Sequence, residues 1–109
     1  MSDSVKHVLV TVDRNEQVRC TPDPVNVSGT NVLIAFRLLT EGYAYPDQDA
    51  IVVTNPGSTF PYASWTLNPQ LATQLDVDNA DGDFSYTVNV VQVASGRHLS
   101  VDPTIRNEN

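Results

Sequence analysis

At 109 residues, with 40% hydrophobic and 17% charged side chains, the chain has the size and composition of one globular domain and not of a disordered tail. Thirteen acids against six Lys and Arg give a formal net charge of −7, a field that disfavours nucleic acid and anionic membrane surfaces as partners. The single cysteine, Cys20, excludes an intrachain disulfide, and Met1 to His7 lacks the apolar core of a signal peptide, so a cytoplasmic location is expected.

Alternation is the recurring pattern along the chain. Val8, Val10 and Val12 fall on one face of a first strand, and Asp13-Arg14-Asn15-Glu16 forms a polar turn. Val18 and Cys20 begin a second strand, closed by Thr21-Pro22-Asp23-Pro24. Two prolines so close cannot sit in a central ladder, which makes this segment an edge, a kink or a switch between sheets. Val25 and Val27 form a short strand, followed by a turn at Ser28-Gly29-Thr30-Asn31. From Val32 to Leu39 the pattern is that of a central strand, with Ile34, Phe36 and Leu38 on one face and Leu33, Ala35 and Arg37 on the other.

A loop-like stretch from Glu41 to Asp49 precedes a buried strand at Ala50-Ile51-Val52-Val53. Asn68 to Leu75 is the one helical candidate: Asn68 suits a cap, Pro69 the first helical position, and Leu71 and Leu75 lie four apart. Phe84, Tyr86, Val88 and Val90 alternate along a further strand, and Ala94-Ser95-Gly96-Arg97 turns the chain into a last strand at His98 to Val101. In the tail that follows, Ile105 is an isolated apolar residue, expected to pack back on the domain. The whole reads as a single all-β domain over 1–109, an immunoglobulin-like or cupredoxin-like Greek-key sandwich of about seven short strands with at most one short helix.

A copper centre of the kind found in such sandwiches needs a Cys near the end of an aromatic-x-aromatic strand. Phe84-Ser85-Tyr86-Thr87-Val88 resembles that strand, but Val88 and Val90 stand where the thiolate belongs. The loop from Asp76 to Asp83 carries Asp76, Asp78, Asp81 and Asp83, an oxygen-rich set that suits calcium. Ala80 replaces a needed ligand, however, and no bidentate Glu follows, so a solvated turn around Asp81-Gly82 is the simpler reading. Ser64, Ser95, His98 and Asp102 supply hydrolase residue types with no motif to bring them together. No cofactor and no catalytic centre are therefore expected.

Five of the eight aromatics, Tyr43, Tyr45, Phe60, Tyr62 and Trp65, fall in two loop-rich segments. Loops place aromatics either to plug the end of a sandwich or to bind something. If the two segments meet, they form a cluster of the kind that anchors interfaces.

Several motifs resemble a small group of uncharacterised bacterial proteins, the DP-EP family. They are Cys20-Thr21-Pro22-Asp23-Pro24-Val25, Gly42-Tyr43-Ala44-Tyr45-Pro46, Ala50-Ile51-Val52-Val53, Phe60-Pro61-Tyr62-Ala63-Ser64-Trp65, Phe84-Ser85-Tyr86-Thr87-Val88 and Asp102-Pro103-Thr104-Ile105-Arg106-Asn107. The resemblance runs from about Val8 to Asn107 and implies a compact β-sandwich with no assigned activity, cofactor or catalytic residue. Together, these readings favour a non-catalytic interaction domain that binds a protein partner or itself. The alternative is a carbohydrate- or calcium-dependent binding module that uses the aromatic loops and the acidic 76–83 loop.

Overall fold

The alternating run at the centre of the chain becomes the centre of a sheet. In the computed structural model, which describes residues 5–77 and 81–108, β4 (Val32–Leu38) lies between a parallel neighbour, β1 (Val5–Val12), and an antiparallel one, β8 (Leu71–Asp76). The outer strands of this sheet are β2 (Val18–Thr21), beside β1, and β7 (Trp65–Asn68), beside β8. The second sheet is organised by the long β9 (Gly82–Gln92). Along one side of β9 run β5 (Tyr43–Ala44) and β6 (Ile51–Val53); along the other run β10 (His98–Val101) and β11 (Thr104–Asn107). β3 (Val25–Val27) pairs in parallel with β11.

The eleven short elements among the described residues exceed the seven or so expected because several share one line. β10 and β11 keep the same register on β9 across the interruption at Asp102-Pro103, where Tyr86 N–H still donates to Pro103 O at 3.0 Å. Thr21-Pro22-Asp23-Pro24 is the sheet switch: β2 lies in the first sheet and β3 in the second, and both prolines follow cis peptide bonds. Gly96, at φ +74°, makes the left-handed turn between β9 and β10 at no steric cost.

The core fills the space between the sheets. Val8, Val10, Ile34 and Phe36 from the first sheet meet Tyr86, Val88, Val90 and Ile105 from the second, all fully buried. Phe36 and Tyr86 bring their ring centroids to 5.4 Å across the gap. Ile105 does pack back: it sits in β11 between Phe84 of β9 and Val25 of β3, so the polar tail is a strand through Asn107.

The segment from Asn68 to Leu75 is no helix. It is the last residue of β7, the turn of a hairpin and the first five residues of β8. Asn68 Oδ1 accepts the Gln70 N–H at 2.8 Å, an Asx turn and not a helix cap. The Pro69 carbonyl turns outward to accept Tyr45 N–H at 2.8 Å. Leu71 and Leu75 share a face because residues four apart in a strand do so too. Among the described residues no helix forms, and so none is long and apolar enough to cross a membrane.

Candidate functional site

The two sheets treat their outer faces differently. On the second sheet the outward positions of β9 are Asp83, Ser85, Thr87, Asn89 and Val91, a mostly polar set. Thr87 Oγ1 donates to Asp102 Oδ1 at 2.7 Å, and Arg106 holds Asp83 through Nε at 2.9 Å. This is the ordinary solvated face of an antiparallel sheet.

The first sheet reverses the pattern. On β8 it is Gln74 and Asp76 that point inward and are buried, while Leu71 and Leu75 point outward. Register then sets these leucines in apolar rows across the sheet. Val5, Leu33 and Leu75 form one row; His7, Ala35, Thr73 and Trp65 the next; Leu9, Arg37 and Leu71 a third. Leu39 continues the face beyond β4, where its N–H donates to Val10 O at 2.9 Å. Leu67, the extra residue of a bulge in β7, stands at the rim. Among the described residues, five large apolar side chains on this face are exposed, Val5, Leu9, Leu39, Trp65 and Leu67, against three elsewhere, Val52, Tyr62 and Val93. Trp65, on the edge strand, is 70% exposed.

The inward polar groups of β8 explain how the strand tolerates this reversal. Gln74 Nε2 donates to Tyr62 O at 2.8 Å, and Asp76 Oδ1 accepts from Asn107 Nδ2 at 3.1 Å. Each inward polar side chain thus ties β8 to something else, the 60–64 loop in one case and β11 of the other sheet in the second.

The five loop aromatics divide. The first segment is bonded to the strand and turn that follow the second, through Tyr45 N–H on Pro69 O and Thr66 Oγ1 on Pro46 O, each at 2.8 Å. Tyr45 and Phe60 are nonetheless buried in the core, Phe60 with its ring centroid 5.1 Å from that of Phe84. Tyr43 is half-buried against the core. Tyr62 is 66% exposed and lines an open depression of about 280 Å³ with Ile51, Val53, Phe60 and Gln74. Trp65 is the member that reaches the apolar sheet face.

Of the acidic loop, Asp78 lies outside the described residues. Asp83 is paired with Arg106, whose hydrogen bonds hold its carboxyl below the ordinary range, and Asp76 is buried beside Asn107. At its start the loop is tied to the residue just before the second aromatic segment, where Val77 N–H donates to Thr59 O at 2.9 Å. Among the described residues no three His, Cys, Asp or Glu side chains gather as a metal set.

Two of the hydrolase residue types, Ser64 and Asp102, serve local structure. Ser64 Oγ accepts Ile51 N–H at 3.2 Å, and Asp102 holds Thr87. Cys20 packs against the core beside the Tyr86 hydroxyl; burial, reinforced by the Asp23 carboxylate, pushes its thiol up to about 12. It is a protonated packing residue and not an activated nucleophile.

The apolar face is a property of the assembled sheet that single segments do not show. Its signal lies in β4, where Leu33 and Ala35 stand opposite the inward set, and in the outward pair Leu71 and Leu75. No protein-family model and no curated protein sequence matches the chain.

Proposed function

We propose that the protein is a non-catalytic interaction domain of the cytoplasm, and that it binds through the outer face of its first sheet. One observation carries the reading: β8 is reversed, with Gln74 and Asp76 turned into the protein and Leu71 and Leu75 turned out. A strand that has only to cover a core puts its leucines inside. Here polar groups are buried at the cost of internal hydrogen bonds so that an apolar surface stands outside. Four strands at about 4.8 Å spacing and about six residues of length make a face of roughly 400 Å² in projection. His7, Arg37 and Thr73 share that projection with the apolar side chains, so the apolar patch is a part of it.

Binding of an apolar fluorescent probe tests the reading. The wild-type protein is expected to bind anilinonaphthalene sulfonate, and Leu71→Ser or Leu9→Ser is expected to lower that binding severalfold. Val52→Ser, on the other sheet, should leave it unchanged. Equal loss in all three variants, or no binding by the folded wild type, would remove the support.

A further inference from the structure

We infer that the occupant of this face is a second copy of the chain, the two first sheets packing face to face about a two-fold axis. The inference rests on the reading above and adds the partner to it. Charge and shape favour this partner, and area sets how tightly it binds.

The first is charge. The molecule carries a net charge of −7, so two copies repel over most of their surfaces. The outward residues of β1, β4, β8 and β7 include Arg37 and His7 and no carboxylate. Asp13, at the turn after β1, is engaged by Arg19 Nε at 3.0 Å. Two copies therefore meet here without setting acid against acid. Arg37 lies toward the Leu39 end of the face, where its long stem can cover apolar surface while the guanidinium reaches the rim.

The second is shape. The described depressions lie elsewhere, one beside Tyr62 and the other between Asn55 and Phe84. What the face offers is a pleated sheet, and the surface that matches a pleated sheet over several strands is another sheet at about 10 Å. Pairing edge to edge through β7 would leave the rows on β1, β4 and β8 uncovered, and the bulge at Thr66/Asn68 interrupts the ladder that such pairing needs.

The third is area. About 400 Å² in projection falls short of the roughly 800 Å² per partner of a standard stable interface, so the dimer is weak and concentration-dependent. Salt strengthens it, because screening reduces the repulsion between two acidic bodies more than it affects an apolar contact.

Sedimentation velocity from about 1 to about 300 µM, the range in which weak interfaces operate, tests this. The wild type is expected to pass from monomer to dimer, with the midpoint moving to lower concentration as salt rises. Leu71→Glu should raise the midpoint at least about tenfold, the factor that 1.4 kcal/mol commands. Val52→Glu should leave it unchanged. Leu9→Glu is the second variant should Leu71→Glu fail to fold, as judged by circular dichroism. A wild type that stays monomeric throughout overturns the second copy as occupant; if its probe binding still falls in Leu71→Ser, the docking face stands. A dimer indifferent to both glutamates overturns the inference by placing the contact elsewhere, and a dimer that salt dissociates refutes the charge argument.

Discussion

Replacing Trp65 separates a surface residue from a core plug by magnitude. A tryptophan side chain offers up to about 250 Å², and with 70% of Trp65 exposed about 75 Å² is removed from water on folding. At about 25 cal/mol per Å² this is worth about 2 kcal/mol, an upper value because the unfolded chain already hides part of its surface. Trp65→Ala keeps some of that contact, so it should cost about 1–2 kcal/mol, where a buried tryptophan costs about 3–5. Urea unfolding at about 1 µM, where weak association is absent, measures the difference. Far-ultraviolet dichroism must be the probe, since Trp65 is the sole tryptophan and the variant has no indole. That same uniqueness lets acrylamide quenching of the wild type report on Trp65 alone. Quenching should be near that of a free indole at low concentration and should fall as concentration rises. A loss of 3–5 kcal/mol, or an indole shielded from acrylamide in the dilute monomer, would refute the placement of Trp65 on the surface.

Ile105→Ala should behave in the opposite way: Ile105 is fully buried between β9 and β3, so a loss of about 2–5 kcal/mol is expected, read as a fall in melting temperature of about 8–20 °C. An unchanged melting temperature would show that β11 is not part of the folded core. Stability should also decline at alkaline pH. The folded-state value of Cys20 is raised to about 12, so the folded protein retains this proton where the unfolded chain has released it. Its contribution is complete below the unfolded value near 9 and is lost as pH rises from there through about 12. Burial raises Tyr45 and Tyr86 in the same direction, and Cys20→Ala should remove only the thiol's share of the slope in urea midpoint against pH.

The strands whose two faces differ were legible in the sequence. Val8, Val10 and Val12 and the inward set of β4 could be assigned from alternation alone, and the prolines at 22 and 24 announced a break that proves to be the crossing between sheets. β8 was not legible, for a physical reason. Its polar residues face in and its leucines face out, so a reading that sends leucines inward finds a helix in the spacing of Leu71 and Leu75. Pro69 is ambiguous too, since Asn68-Pro69 fits a helix start as well as a hairpin turn. Composition likewise could not tell Tyr45 from Tyr62. Both lie in Pro-containing aromatic segments, and only the packing of the two sheets decides that one is buried and the other exposed.

Gln74 is where the reversal of β8 can be tested from the inside. Its side chain is 3% exposed, and its Nε2 donates to Tyr62 O at 2.8 Å, holding the loop that leads directly into Trp65. A second tie, Ile51 N–H to Ser64 Oγ at 3.2 Å, holds the same loop from β6. Gln74→Ala removes the amide and leaves the Tyr62 carbonyl to water entering from the depression that Gln74 lines, so the cost should be about 0.5–1.5 kcal/mol and not the roughly 1–3 kcal/mol of an orphaned group sealed in the core. Because both ties restrain one short segment, removing either should leave it held and removing both should not. The Ser64→Ala, Gln74→Ala double variant is therefore expected to lose more than the sum of the singles, by about 0.5–1 kcal/mol of coupling. Amide exchange should locate the effect, with residues 62–66 opening faster in the double variant while β1 and β4 keep their protection. Strict additivity, with exchange in 62–66 unchanged, would mean that the loop is held by Phe60 in the core instead. The inward amide of β8 would then have no part in presenting Trp65 to the outer face.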